Sequence, residues 1–219
     1  MKKFFFVALP LSLALIFVMP RATLAADNSA APPLSDRTLF HATATIEYIG
    51  EGEVTPAGQI WIVKNRPMGG TISGDVLGTY EAVYDGIIKQ DQSGAIRGTL
   101  DINTEQGDIY GKMNAQLGAT SPIGVVVLED GSPHIVLHGT MSGNFNFRRG
   151  TDKFSEIKGI GKLNGDSYPI LDTEMTHVIA LCDGTSSVFL FTGNPENPID
   201  WSNPVYPSSL LALNGWIRL

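Results

Sequence analysis

The chain has 219 residues, of which 43% are hydrophobic and 17% charged, and its formal net charge is −7. This apolar content is sufficient for a folded core and excludes an intrinsically disordered chain. A single cysteine excludes an intramolecular disulfide and a zinc ribbon, and the length suits one large all-β domain or two small ones.

The first 25 residues have the three regions of a secretory signal peptide. Lys2 and Lys3 precede an apolar run over 4–19, and a small-residue segment follows it and ends at Ala25. The apolar run includes Pro10 and is shorter than the roughly 20 residues that a membrane-spanning helix needs. We therefore predict cleavage after Ala25 and a secreted or periplasmic protein.

The predicted mature chain is strongly acidic. Removal of residues 1–25 leaves 12 cations against 22 acids, which gives a net charge of −10. Such a domain repels phosphate backbones, and the sequence shows no basic patch, so we do not expect nucleic-acid binding.

Residues 26–38 are mostly small and polar and include Pro32 and Pro33, a composition that predicts a flexible tail.

Several windows after residue 38 alternate apolar and polar residues with the period of a β-strand. The clearest are 40–48, 96–103, 108–117 and 134–147, and a last strand is predicted over 210–219. Turn signals lie between the strand-like windows at 92–94, 105–107, 129–132, 149–151 and 183–185. No amphipathic helix is predicted after residue 26. We therefore expect an antiparallel all-β domain of roughly nine to eleven strands.

Glycine distribution indicates how this sheet is shaped. All 24 glycines lie at or beyond Gly50, and several fall on the apolar faces of the predicted strands. Examples are Gly98, Gly111, Gly139 and Gly143. A glycine weakens a strand unless the sheet bends sharply or another backbone comes close. Because a strongly coiled sheet uses such glycines, we predict that residues 39–219 form a meander that closes into a single calycin-like β-barrel.

The segment 194–207 differs from the rest of the predicted domain. It has four prolines and no strand pattern. We expect an ordered loop across one mouth of the barrel, acting either as a lid or as a surface connection anchored by Trp201.

The segment 138–161 reads HGTMSGNFNFRRGTDKFSEIKGIG. It contains a glycine-rich strand, a turn at 150–154 and a short strand ending in glycine. This arrangement resembles the late hairpin of allene oxide cyclase-like and dirigent-like β-barrels, with Asp152 in place of the second glycine of the family's turn. The resemblance implies a secreted or plastid barrel that holds an apolar small molecule, in some members with an isomerising or radical-guiding role. No catalytic residue of the family matches a position here, so none is assigned.

Four side chains with polar tips lie on predicted apolar faces. They are Tyr48, Tyr80, Tyr84 and His177. If these faces line a cavity, the four side chains would orient a bound molecule, and we take them as candidate ligand-binding residues. In a filled interior the same side chains are core residues whose polar atoms bond to the backbone. The sequence leaves both interpretations open.

Metal and cofactor motifs are not evident. His134 and His138 are four residues apart, which on a strand separates them by about 13 Å, too far for one metal ion. Phosphate-binding loops, Gly-x-Ser-x-Gly and His-Glu-x-x-His are not found. Cys182 has no cation close in sequence that would activate its thiol. We predict neither a metal site nor a cofactor.

Three functional hypotheses follow from the sequence. The first is an exported soluble β-barrel that binds a small apolar or amphipathic molecule, with no catalysis established, so that the sequence leaves open whether the protein is an enzyme. The second is an isomerase or cyclase resembling allene oxide cyclase, which would hold a flexible substrate in a reactive shape. The third is an outer-membrane barrel, although the strands show no clear aromatic girdles, so stable membrane insertion is not expected. The sequence leaves the ligand and the oligomeric state open, homo-oligomers included.

Overall fold

The described part of the chain consists mostly of β-strands. The computed structural model describes residues 36–174 and 177–219, and their 15 strands confirm the predicted all-β class. The predicted signal peptide at 1–25 and most of the predicted tail at 26–38 lie outside the described residues. No helix among the described residues is long and apolar enough to cross a membrane.

The strands alternate with turns and one short 3-10 segment, Asp152–Phe154. They are β1 (Thr38–Thr45), β2 (Tyr48–Ile49), β3 (Glu53–Ala57), β4 (Ile60–Gly74), β5 (Gly78–Lys89), β6 (Gly94–Thr104), β7 (Gly107–Leu117), β8 (Ser121–Val127), β9 (Pro133–Gly150), β10 (Lys158–Ser167), β11 (Pro169–Leu171), β12 (Val178–Leu181), β13 (Val188–Asn194), β14 (Asn197–Ile199) and β15 (Leu210–Arg218). The number exceeds the predicted nine to eleven because five strands have five residues or fewer and little alternation.

Eight strands pair in a closed ring. Their order around the ring is β1, β4, β5, β6, β7, β9, β10 and β15, and β15 pairs back with β1. Every neighbouring pair is antiparallel. The first and last strands of the described chain close the ring, with Thr38 opposite Ile217 and Thr45 opposite Leu210.

A smaller sheet extends from the N-terminal part of β9. There β9 pairs with β8 and β11, and β8 continues through β13 to β14. This sheet has its own small core of Val126, Val136, Ile170, Cys182 and Val188. The segment 194–207, predicted to lack strands, supplies β14, because Asn197–Ile199 runs back along β13.

The apolar core lies inside the ring. Phe40 of β1 contacts Phe145 and Phe147 of β9 edge-on, with ring centroids 5.9 and 5.5 Å apart. The two strands between β1 and β9 carry glycines at the same level, Gly161 on β10 and Gly215 on β15. A Cβ at Gly161 would lie 2.5 Å from the Phe145 ring. The inward glycines therefore leave room for the aromatic rings that fill the interior.

Four turns stabilise themselves in the same way. In each, an aspartate accepts hydrogen bonds from the backbone N–H and the hydroxyl of a residue two positions later. The pairs are Asp91–Ser93, Asp130–Ser132, Asp183–Thr185 and Asp200–Ser202. The hydroxyl bond, with the backbone bond, lowers the pKa of each aspartate because both stabilise the charged carboxylate.

Candidate functional site

The outward side chains of seven ring strands form one continuous row. Strand register places each member opposite its neighbour on the next strand, at a Cβ spacing of about 5 Å. The row consists of Asp85, Arg97, Asn114, Asn144, Lys162, Asn214 and His41, in order from β5 to β1. All seven side chains are exposed. We refer to this set as the polar row.

Two adjoining cavities lie over the polar row. Their volumes are about 1150 and about 1030 Å³. Both are lined by Asp85, Arg97, Asn114, Asn144 and Lys162, and we call the combined surface the outer groove. Glycines also line the groove, among them Gly161 and Gly215, and a side chain at Gly161 would point into the ring. These glycines leave room for the aromatic side chains of the core, so the bend of the sheet at these positions also shapes the floor of the groove.

Apolar side chains stand among polar ones on both sides of the polar row. Val83, Ile160 and Trp216 lie on one side, in a row that also contains Thr99, Lys112 and Asn146. Ile62, Ile87 and Ala95 lie on the other side, next to Gln116, Ser142 and Asn164. Ile160 is 48% exposed although it belongs to a ring strand. Trp216 is half-buried, and the Arg37 guanidinium lies 4.3 Å from the centre of its ring. The groove thus has a polar centre and flanks in which apolar and polar side chains are mixed.

Positive charge is concentrated in the outer groove. Five of the 15 lysines and arginines line it: Lys64, Arg97, Lys112, Arg148 and Lys162. Of the 22 acids, Asp85 is the only one among the described residues that lines it. Within 36–174 and 177–219, none of the five cations forms an ion pair with a carboxylate. The sequence showed no basic patch because these cations come from separate strands, which the register of the sheet brings together.

Asparagines are the most frequent polar residues in the lining of the groove. Five of them line the larger cavity: Asn65, Asn114, Asn144, Asn146 and Asn214. Asn144 donates from Nδ2 to Asn114 Oδ1 over 3.4 Å, and Asn214 Oδ1 lies 2.8 Å from His41 Nδ1. Each amide has two donor hydrogens and an acceptor oxygen, so most of this capacity faces the groove.

A β-bulge fixes the acidic end of the polar row. The register of β4 against β5 shifts between Val63 and Arg66, and Asn65 there has a φ of 51°. Asparagine tolerates this left-handed conformation better than most residues. The Asn65 N–H donates to Asp85 Oδ1 over 3.1 Å, so the carboxylate is held by backbone at the groove edge.

The structure separates the four residues predicted from the sequence to bind a ligand. Tyr80 and Tyr84 point into the ring and are 3% and 6% exposed, so their predicted apolar face is confirmed. Burial raises the pKa of both hydroxyls. The Tyr80 hydroxyl is buried without a hydrogen-bond partner among the described residues. Tyr48, on the short strand β2, is 45% exposed.

His177 does not lie on a buried apolar face. Its side chain is 80% exposed and contacts Asp172 over 3.2 Å. The expectation was wrong because β12 pairs only with β11, which leaves Val178 and Ile179 exposed as well; Met175 of the same predicted run lies outside the described residues. None of the four predicted residues lines the outer groove.

The remaining histidines and the cysteine have local roles. His134 is buried. Its Nδ1 lies 2.8 Å from the Leu171 carbonyl oxygen, and its Nε2 lies 2.7 Å from Ser132 Oγ. His138 stacks on Tyr168. In the described part of the chain, no three His, Cys, Asp or Glu residues are grouped to hold a metal ion. Cys182 is fully buried, and burial raises the pKa of its thiol to about 11, which disfavours a reactive thiolate.

No family model, curated protein or solved structure matches this chain. The chemistry of the outer groove is therefore the main basis for a functional inference.

Proposed function

We propose that this chain is an exported binding protein that holds an amphipathic molecule in the outer groove. In this proposal the closed ring is a calycin-like β-barrel of the allene oxide cyclase-like and dirigent-like kind. Ring closure by β1 and β15 and the inward glycines support the barrel. The 3-10 segment Asp152–Phe154 between the paired strands β9 and β10 supports the resemblance.

The arrangement of the groove is the observation that carries the proposal. Cations and amides occupy the centre of the groove, and apolar side chains stand among polar ones on both flanks, which matches a ligand with both polar and apolar parts. The ring interior offers a poorer site, because Phe40, Phe145 and Phe147 already pack against one another there. A ligand inside would have to displace closely packed rings.

The outer surface also supports a water-soluble protein over an outer-membrane barrel. Arg97, Lys112 and Lys162 lie on the outward faces of three ring strands. On a lipid-facing surface such side chains cost about 2–4 kcal/mol each near the bilayer midplane. The isomerase alternative gains no specific support, since no catalytic residue of the allene oxide cyclase-like family matches a position in this chain.

A fluorescent-probe experiment tests the proposal. The anionic amphipath 8-anilinonaphthalene-1-sulfonate is titrated into the mature protein, an Asn144→Trp variant and a Thr79→Trp control. Asn144 lies at the centre of the polar row, whereas Thr79 is exposed on β5 outside the groove. We expect saturable binding to the wild type and the control, and binding at least tenfold weaker to Asn144→Trp, because the indole fills the groove.

The neutral apolar dye N-phenyl-1-naphthylamine distinguishes the alternative location. If this dye binds with equal affinity to wild type and Asn144→Trp while the anionic probe does not bind, the ligand site lies inside the ring. Equal binding of the anionic probe to both tryptophan variants would also contradict a site in the outer groove.

A further inference from the structure

We infer that the outer groove binds an anionic carbohydrate chain, whose acidic groups contact Arg97, Lys112 and Lys162 and whose hydroxyls contact the asparagine amides. This inference rests on the proposed function, since it requires the outer groove to be the binding site. It follows from the charge, the hydrogen-bonding groups and the apolar contacts of the groove, taken in turn below.

The cations of the groove are separated by neutral amides. Along the polar row, Arg97 and Lys162 are three strand spacings apart, about 14 Å, and the positions between them are Asn114 and Asn144. Lys112 is a diagonal neighbour of Arg97 at about 7–8 Å. A ligand that matches this surface has anionic groups separated by neutral hydrogen-bonding groups, as in a chain of sugar acids.

The amides suit the hydroxyls of a sugar ring. A hydroxyl both donates and accepts a hydrogen bond, and the asparagine side chain offers both functions in one plane. Asn114 and Asn144 stand opposite each other, and Asn146 lies next along β9 on the same face. The groove therefore presents adjacent amides to adjacent hydroxyls, whereas a hydrocarbon chain would leave these amides without partners.

The pair Ile160 and Trp216 fits the C–H face of a sugar. Ile160 and Trp216 are directly opposite each other on β10 and β15, and both line the groove. The Arg37 guanidinium over the indole restricts the orientation of Trp216. A sugar ring laid on these two side chains buries its apolar face while its hydroxyls and acid groups reach the polar row.

Lys112 has no acid opposite it on either neighbouring strand. The residue opposite it on β6 is Thr99 and the residue opposite it on β9 is Asn146, whereas Arg97 stands opposite Asp85. A carboxylate or sulfate placed between Lys112 and Arg97 makes charge-assisted hydrogen bonds to both cations.

A nucleic acid fits the groove less well. Phosphates repeat at every nucleotide, whereas two amides separate Arg97 from Lys162 along the polar row. Binding of single strands also uses successive aromatic side chains as stacking platforms, and Trp216 is the one aromatic outward side chain lining the groove among the described residues. The acidic remainder of the protein opposes a long polyanion beyond the groove.

Calorimetric titration of the mature protein tests the inference. The probes are oligogalacturonate, oligoalginate and heparin-derived hexasaccharides, a fully methyl-esterified oligogalacturonate of the same length, and a single-stranded oligothymidylate. We expect at least one acidic oligosaccharide to bind, with affinity about tenfold lower in 500 mM than in 50 mM salt. The methyl ester, which keeps the sugar backbone without its charge, should bind at least tenfold more weakly than oligogalacturonate if the latter is the ligand.

Matched variants locate the charge recognition. Lys112→Gln and Lys162→Gln should each weaken binding of the acidic oligosaccharide about fivefold, because each removes one cation from the groove. Lys89→Gln, on β5 outside the groove, is the control and should change the affinity less than twofold.

Each other outcome contradicts the inference in a recognisable way. Binding of the anionic fluorescent probe but of none of the acidic oligosaccharides refutes the carbohydrate inference and leaves the proposed function standing. Binding of oligothymidylate as tightly as of the best saccharide would favour a phosphodiester ligand instead. If neither the fluorescent probe nor any oligosaccharide binds, the proposed function fails together with the inference.

Discussion

Gly161 connects the packing of the interior with the shape of the outer groove. A Cβ at this position would lie 2.5 Å from the Phe145 ring and 2.4 Å from the Asn214 carbonyl oxygen. Its neighbours in sequence, Ile160 and Lys162, face the groove. The absence of a side chain lets β10 and β15 approach the core rings closely, and this approach sets the position of the outward side chains.

A Gly161→Ala variant tests this role. We expect it to lose about 1–3 kcal/mol of unfolding free energy, because the added methyl group overpacks a site bounded by backbone and an aromatic ring. The control is Gly139→Ala, where the nearest atoms are the flexible Ser167 Oγ and Thr120 Cγ2 at 3.1 and 3.2 Å. Urea denaturation measures both variants. Equal stability losses would show that close approach at Gly161 is unimportant.

Single residues were predictable from the sequence only where the strand around them alternates regularly. Tyr80 and Tyr84 lie on β5, whose inward positions are all apolar, and both are buried as expected. His177 precedes a four-residue strand at the edge of the small sheet, where apolar composition does not lead to burial. The groove cations could not be identified, since a lysine on an outward face looks the same in any sheet.

At the scale of strands, regular alternation predicted the long strands well. The windows 96–103, 108–117 and 134–147 correspond to β6, β7 and β9 within three residues at each end. Strand β4 was missed because the bulge between Val63 and Arg66 shifts its alternation. The short strands have too few residues for a periodic signal, and they form through pairing with their neighbours.

The aspartate turns predict a pH dependence of stability. Their hydrogen bonds lower the carboxylate pKa below its value in the unfolded chain, about 3.9. Their contribution is therefore present above about pH 4 and is lost as the pH falls through the folded-state pKa. A Ser93→Ala/Ser202→Ala variant removes the hydroxyl donors to Asp91 and Asp200. We expect it to be less stable than wild type at pH 6, with a smaller difference at pH 3.

Urea midpoints of both proteins between pH 3 and pH 7 measure this difference. A gap that stays constant down to pH 3 would show that the turn hydroxyls do not act through the carboxylate charge. The two turns lie outside the outer groove, so ligand binding should be unaffected.

At the scale of the whole molecule, the polar row depends on registers that no single segment contains. The β6–β7 register follows from the turn at 105–107, but the alignment of Asn144 with Lys162 and of Lys162 with Asn214 joins strands that are distant in sequence. Alternation indicates which side chains face inward. It does not indicate whether inward side chains from distant strands contact each other. Here Phe40 and Phe145 do so, because the two strands between them carry glycines at that level.

The most direct test of the central claim, that ligand binds on the outer face of a filled ring, is an NMR titration with the anionic fluorescent probe. Side-chain amide resonances of Asn114, Asn144 and Asn146 report on the outer groove, and the methyl groups of Met68 and Leu163 report on the interior. We predict that the asparagine resonances shift in a saturable way while the interior methyl resonances stay in place. Shifts confined to Met68 and Leu163 would contradict the account.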